Sequence, residues 1–229
     1  WWYGRIILSK RFSNFKNKFD LKVFDDLITY LIISIIIGGR VGYIVFYNFE
    51  FYLKNPLEIF KIWNGGMSFH GAMLGVIIGT LLFSKKNKLK NFLFLDVIAC
   101  VSPIGIFLGR IANFINSELV GNATNVYWGV ILPKVDNIAR HPSQLYEALL
   151  EGLALFFIMN FILNKKDYKI GDCSFMFLIC YGIFRIFSEI FRQPDLQIGY
   201  IFGVLSMGML LSILMIFAGV ILLYLRKND

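Results

Sequence analysis

Leu196-Gln-Ile-Gly-Tyr-Ile-Phe-Gly-Val-Leu-Ser-Met-Gly-Met-Leu-Leu-Ser-Ile-Leu-Met-Ile-Phe-Ala-Gly-Val-Ile-Leu-Leu-Tyr-Leu225 is a run of thirty residues without a charge, closed by Arg226 and Lys227. A bilayer's hydrocarbon core, about 30 Å thick, takes roughly 20 apolar residues of helix, so a run of this length reads as a membrane span. Working outward, further apolar segments lie near residues 24–47, 64–84, 92–112, 144–163 and 173–191, with the last span near 198–225. Hydrophobic residues make up 57% of the 229 and charged residues only 17%, a balance too apolar for a soluble domain. The expected fold is all-α: a polytopic membrane helical bundle with six clear transmembrane helices, forming one integral membrane domain over residues 1–229.

The net charge of +8 would suggest nucleic acid in a soluble protein. Here the basic residues fall in alternate loops instead, and they report orientation. Lys10, Arg11, Lys16, Lys18 and Lys22 form one cluster, Lys85, Lys86, Lys88 and Lys90 a second, and Lys165, Lys166 and Lys169 a third, with Arg226 and Lys227 at the end. By the positive-inside rule all four, and the C-terminus, are cytoplasmic. The connections 48–63, 113–142 and 192–197 then lie outside. Cys100, Cys173 and Cys180 fall within apolar spans with no Cys-x-x-Cys and no nearby His, so they read as small buried hydrophobes rather than as a disulfide or a metal site. Residues 1–9 precede a basic loop and cover only about 14 Å as helix, too little to cross. Either they lie as a stub at the inner surface, or residues of a full first helix are missing.

Four polar runs interrupt this background. Gly109-Arg110-Ile-Ala-Asn113-Phe-Ile-Asn116-Ser-Glu118-Leu-Val-Gly121 places ionisable groups at the end of a span. Such groups cost several kcal/mol unless paired or facing a polar cavity, and they are functional candidates by default; a snorkelling Arg is the plainer reading. In Trp63-Asn-Gly-Gly-Met-Ser-Phe-His70-Gly71, two glycines allow a tight turn, and Gly71, Gly75 and Gly79 at four-residue spacing admit a close neighbouring helix. Arg140-His141-Pro142-Ser-Gln-Leu-Tyr-Glu147 opens a helix, Pro142 suiting its first turn. Glu147 and Glu151 share a face there, and capping does not explain a Glu two turns into an apolar span. In the last run, Tyr181, Arg185 and Glu189 stand at four-residue steps in a segment reaching Asp195. An internal Arg185–Glu189 pair and a substrate-facing Arg185 oriented by Glu189 both fit this spacing.

Two His, two intramembrane Arg and their Asn and Glu partners suit an anionic headgroup, because Arg grips phosphate bidentately and stays charged. A transporter or flippase for an anionic solute or lipid would also place such groups among its spans, but it usually shows repeats and interrupted helices, and neither is evident here.

In this order the four runs resemble the prolipoprotein diacylglyceryl transferase family of bacterial membrane enzymes. The family signature Gly-Arg-x-Gly/Ala-Asn-Phe-x-Asn-x-Glu-x-x-Gly is met at every fixed position from Gly109 to Gly121. The blocks at 65–71, 140–147 and 181–195 and the segment Gly39-Arg40-Val-Gly-Tyr43 through Asn48 are similar to family blocks as well, so the resemblance covers about residues 23–225. It implies seven spans, the first shortened or missing here, with catalysis near the outer leaflet of the inner membrane and a small outer arm and head. Trp2-Tyr3-Gly4 resembles the block that opens the first span. The implied reaction transfers the diacylglyceryl group of phosphatidylglycerol to the lipobox cysteine of a prolipoprotein signal peptide, forming a thioether and releasing glycerol phosphate. No cofactor or metal is implied. By the same resemblance His70 is the first candidate base and His141 the second, and Arg110 and Arg185 are the phosphate ligands. Asn113, Glu118, Tyr181 and Glu189 orient these groups, Gly121 permits close backbone approach, and Tyr3 joins the substrate-binding set.

Overall fold

The structure, a computed structural model, describes residues 1–11, 21–194, 199, 201 and 205–227. It is mainly helical, and among the described residues four helices are long and apolar enough to cross a membrane: Lys22–Tyr47, Phe92–Asn116, Ser143–Leu163 and Met207–Arg226. The chain is thus a multi-pass helical membrane protein. It divides into two compact units, Trp1–Val97 and Ile98–Asp229, the boundary falling within one helix.

The first unit holds α1 (Trp2–Arg11), α2 (Leu21–Tyr47), α3 (Phe49–Lys54), α4 (Phe69–Lys86) and the start of α5 (Asn91–Asn116). Short α1 is a packed element: Trp1 stacks on Phe24 at 3.8 Å, its indole N–H donates to Asp25, and Arg5 pairs with Asp25. The close approach expected of Gly71, Gly75 and Gly79 is present, and α2 answers it with small residues of its own. A Cβ on Gly38 would stand 2.5 Å from the Gly71 carbonyl, one on Gly42 2.5 Å from the Gly71 Cα, and one on Gly75 would collide with the Ser34 carbonyl. Without a hydrophobic drive between helices in lipid, this backbone-to-backbone contact is what holds α2 to α4.

Arg40 organises the segment between those helices. It is 5% exposed, and its guanidinium donates to the carbonyls of Glu58 (2.6 Å), Ile59 (2.9 Å), Lys61 (3.2 Å), Gly65 (2.6 Å) and Gly66 (3.3 Å). These acceptors lie along and just after two 3₁₀ turns, Pro56–Phe60 and Ile62–Asn64, so one side chain gathers carbonyls that the short turns leave open. Gly65 and Gly66 follow with φ of 81° and 80°, and Ser68 caps α4 by accepting from Gly71 N. The helix therefore begins at Phe69 rather than at 64, because two left-handed residues and a cap intervene.

The second unit contains the rest of α5, the hairpin β1 (Val130–Ile131) and β2 (Ala139–Arg140), α6 (Ser143–Glu147), a π-helical turn (Ala148–Ala154), α7 (Leu155–Leu163), α8 (Asp172–Glu189) and α9 (Met207–Lys227). Gly152 lets the π turn lie on α5, where a Cβ would be 2.8 Å from the Phe107 Cα. Gly182 and Gly219 bring α8 and α9 together: a Cβ added to either would stand 2.9 Å from a carbonyl on the partner helix. Arg226 on α9 pairs with Asp172 on α8 at 2.6 Å. Cys100 and Cys173 both direct their sulfur at the Met159 carbonyl, at 3.9 and 3.7 Å. The long uncharged run does not form one helix. Ile201 and Leu205 exchange backbone hydrogen bonds, and α9 starts at Met207, where Ser206 caps the Met209 amide. Residues 195–198, 200 and 202–204, Asp195 among them, and Lys16 and Lys18 lie outside the described residues.

Candidate functional site

Three helices of the second unit bring six charges together. Arg110 on α5 places Nε 2.7 Å from Oε2 of Glu147 and Nη2 3.2 Å from Oε2 of Glu151. Arg185 on α8 places Nη1 3.2 Å from the same Glu147 oxygen and 3.5 Å from Glu151 Oε1, while its Nη2 meets Glu189 at 2.5 Å. Arg192, just beyond α8, adds a longer contact of 3.6 Å to Glu147. Glu147 and Glu151 are wholly buried, and Arg185, Glu189 and Arg192 nearly so. Among the described residues three guanidinium groups face three carboxylates, so each buried charge has an opposite one beside it. That pairing makes the cluster tolerable at this burial, since an unmatched charge would cost several kcal/mol.

Each element contributes for a local reason. The π turn begins at Ala148, directly after Glu147, and carries Glu151 on the side of Arg110 and Arg185; such turns widen a helix and recur at functional sites. Ser206, the α9 cap, donates from its hydroxyl to Glu189 at 3.0 Å, so the cap also fixes the carboxylate that holds Arg185. Tyr181, one turn before Arg185, is fully buried and lies within electrostatic reach of Arg110, Arg185, Glu147 and Glu151. Arg110 is the least enclosed of the three, its side chain 13% exposed, and among the described residues its Nη1 makes no hydrogen bond or ion pair. The cluster thus offers one open guanidinium edge.

Around it, the 113–142 connection is tied down by backbone pairing. Gly121 bridges Arg192, Asn122 N donates to Phe191 O, and Gln193 N to Val120 O. A Cβ on Gly121 would collide with the His141 carbonyl, so the close approach expected there is made by the chain's own backbone. Arg140 crosses the loop to the Gly121 carbonyl, Gln193 and Asp136. Those contacts, with the Ile138 N–H, hold the Asp136 carboxyl below its usual range. At the end of α5, Ser117 (φ 61°) and Leu119 (φ 53°) take left-handed conformations uncommon outside glycine. Ser117 N to Phe114 O and Glu118 N to Asn113 O complete a Schellman closure, and Gln144 donates to the Glu118 carbonyl at 2.6 Å.

The structure gathers some of the expected residues of the second unit into one cluster and gives others different partners. Arg110, Arg185, Glu189 and Tyr181 share one cluster. Asn113 and Glu118 instead bond to each other, Nδ2 to Oε2 at 3.0 Å, and among the described residues neither bonds to a guanidinium, so their expected part in orienting one is not seen. His141 is engaged by Tyr146, Nδ1 to the hydroxyl at 3.3 Å, and packs edge-on to Phe191. The Tyr146 hydroxyl also receives the Trp128 indole N–H. His70 and Tyr3 belong to the first unit: His70 is 6% exposed in the first turn of α4, edge-on to Phe69, and Tyr3 sits in α1. Glu147, Glu151 and Arg192 were not among the expected site residues. The two glutamates had a signal in their depth within an apolar span, whereas Arg192 had none beyond its place at the end of a polar run.

The chain matches the family model for prolipoprotein diacylglyceryl transferase over residues 1–225, so the likeness begins at the first residue rather than near residue 23. It is 51% identical to the phosphatidylglycerol–prolipoprotein diacylglyceryl transferase of Rickettsia felis over 222 residues, 96% of this chain and 84% of that protein. It is 50% identical to the enzyme of the same name from Ehrlichia canis over 213 residues, 91% of this chain and 82% of the other.

Proposed function

The chain belongs to the prolipoprotein diacylglyceryl transferase family, and we propose that it moves the diacylglyceryl group of phosphatidylglycerol onto the lipobox cysteine of a prolipoprotein signal peptide. The observation that carries the reading is the convergence of Arg110 and Arg185, with one edge of Arg110 left open. Phosphatidylglycerol presents one phosphodiester anion at the membrane boundary, and a guanidinium edge receives it with two N–H donors while the acyl chains stay in lipid.

In the reaction the cysteine sulfur attacks the glyceryl carbon, the carbon–oxygen bond to phosphate breaks, and glycerol phosphate departs. The thiol, with a free pKa near 8.5, must lose its proton, and the leaving phosphate gains charge. Arg110 and Arg185 stabilise that charge. A histidine takes the proton, with His70 the first candidate and His141 the second. Nothing in this scheme calls for a cofactor.

The protein works as one integral domain of the bacterial inner membrane, with α4 and α8 added to the four long apolar helices as crossings. Its C-terminus is cytoplasmic and the 113–142 connection lies outside. The exposed Leu57, Phe60 and Trp63 of the 48–66 arm suit the headgroup boundary. Purified protein incubated with phosphatidylglycerol and a lipobox peptide should increase the peptide mass by one diacylglyceryl group in thioether linkage; an unmodified peptide would refute the reading. His70→Gln and His141→Gln, assayed across pH, assign the base. Loss in the second alone would reverse the order.

A further inference from the structure

Three aromatic side chains of the second unit surround the imidazole of His141, and their hydrogen bonds have a direction. The indole of Trp128 can only donate, and its Nε1 stands 2.7 Å from the Tyr146 hydroxyl oxygen. That contact takes up a lone pair of the phenol and leaves the phenol proton to be placed. His141 Nδ1, at 3.3 Å, is the one acceptor that the Tyr146 hydroxyl reaches among the described residues. If Nδ1 carried a proton instead, two donors would point at one phenol oxygen, and the proton of a half-buried hydroxyl would find no acceptor there. A lone pair on Nδ1 satisfies all three groups. A neutral imidazole has one N–H, so its proton then sits on Nε2.

The ring is also fixed in place. His141 N donates to the Asn122 carbonyl at 3.0 Å, and the His141 carbonyl accepts from Ser143 N at 2.8 Å. Phe191 meets the imidazole edge-on at 5.1 Å and the Tyr146 ring at 5.4 Å. Tyr146 directly precedes Glu147 and Phe191 directly precedes Arg192, so the residues that hold the imidazole adjoin two members of the charged cluster in sequence. Among the described residues Nε2 has no hydrogen-bond partner, which leaves its N–H for a bound molecule.

We infer that Tyr146, braced by Trp128, is a positioning residue that holds His141 as the Nε2–H tautomer, and that His141 serves the transfer by donating this N–H to an oxygen of the lipid headgroup rather than by taking the thiol proton. The second half rests on the transferase reading given above. In this state the one free lone pair of the ring is on Nδ1, and the phenol already occupies it. The thiol therefore meets a donor at His141, and His70 is left as the candidate base.

Nitrogen-15 NMR of the full chain, labelled at histidine and held in lipid nanodiscs at about pH 8, where an ordinary imidazole is neutral, reads the tautomer directly. The His141 signals are those that vanish in His141→Gln. In the wild type a proton should be bonded to Nε2 and none to Nδ1, whose signal should carry the shift of an accepted hydrogen bond. Tyr146→Phe should remove that shift. A proton bonded to Nδ1 in the wild type overturns the inference without any variant, as does an Nδ1 signal that Tyr146→Phe leaves unmoved. Lipidation assays read the consequence. His141→Gln keeps an N–H donor without a base and should stay within about tenfold of wild-type transfer, whereas His141→Phe should fall a further 10- to 100-fold or so, the worth of one hydrogen bond to a charged oxygen. Equal loss in the two variants overturns the donor role, and so does an unchanged rate in His141→Phe. A wild type that transfers nothing to a lipobox peptide would instead remove the transferase reading and leave the tautomer result standing.

Discussion

Arg110 and Arg185, carried by different helices, meet at a single atom: Oε2 of Glu147 stands 2.7 Å from one and 3.2 Å from the other. One buried oxygen thus sets the spacing of two guanidinium groups. Glu147→Gln keeps the shape and removes the charge, leaving two buried guanidinium groups without the carboxylate they share. The variant should lose about 3–5 kcal/mol of stability together with transfer activity, checked by thermal unfolding in detergent alongside the lipidation assay.

The two arginines should respond differently to lysine. Arg185 serves three carboxylates through two nitrogens, so Arg185→Lys should lower both the unfolding temperature and transfer. Arg110→Lys keeps one charge near Glu147 but loses the open edge. Its transfer rate should fall roughly 10- to 100-fold, for one to two charge-assisted hydrogen bonds, with a smaller change in unfolding temperature.

Arg40→Lys should release the arm. An ammonium has three donors on one atom and cannot span carbonyls from Glu58 to Gly66. Tryptic cleavage after Lys61, followed by mass spectrometry, should quicken at least about tenfold as this segment opens.

Glycines on paired and open faces should separate. Gly75→Ala drives a methyl into the Ser34 backbone and should cost about 2 kcal/mol or more. Gly105 has nothing within 4 Å of a Cβ, so Gly105→Ala should be neutral or stabilise by up to about 1 kcal/mol through helix propensity. Unfolding of the two variants side by side decides this.

The Asp136–Arg140 contact in the 113–142 connection should be insensitive to pH over the working range. Asp136 is held below its usual range by Arg140, so the order it gives is fully present above the ordinary carboxylate pKa of about 3.9. That order is lost only as pH falls further, through the lowered value. Protection of the Ile138 amide against hydrogen exchange, corrected for intrinsic rate, should hold at about pH 5 and decline below about pH 4.

Much of this arrangement was legible in the sequence, and the rest was hidden for identifiable reasons. The four-residue glycine spacing on α4 announced a close helix partner, and Arg110, Arg185 and the two glutamates announced themselves by their depth in apolar segments. Their mutual pairing did not, because it depends on how distant segments pack. The acceptors of Arg40 are backbone carbonyls, which every residue carries, so no pattern of side chains marks them. Hydropathy was equally blind to the backbone pairing of Ile201 with Leu205, which lies within an uncharged run. The π turn depends on one added residue per hydrogen-bonded ring, and no residue type signals it.

A catalyst that alkylates sulfur runs the risk of alkylating itself. Both fully buried cysteines, Cys100 and Cys173, turn their sulfur toward the carbonyl of Met159 inside the second unit. Repeated turnover should therefore leave these two thiols unmarked: at Cys100 and Cys173 self-lipidation is avoided by burial rather than by doing without cysteine.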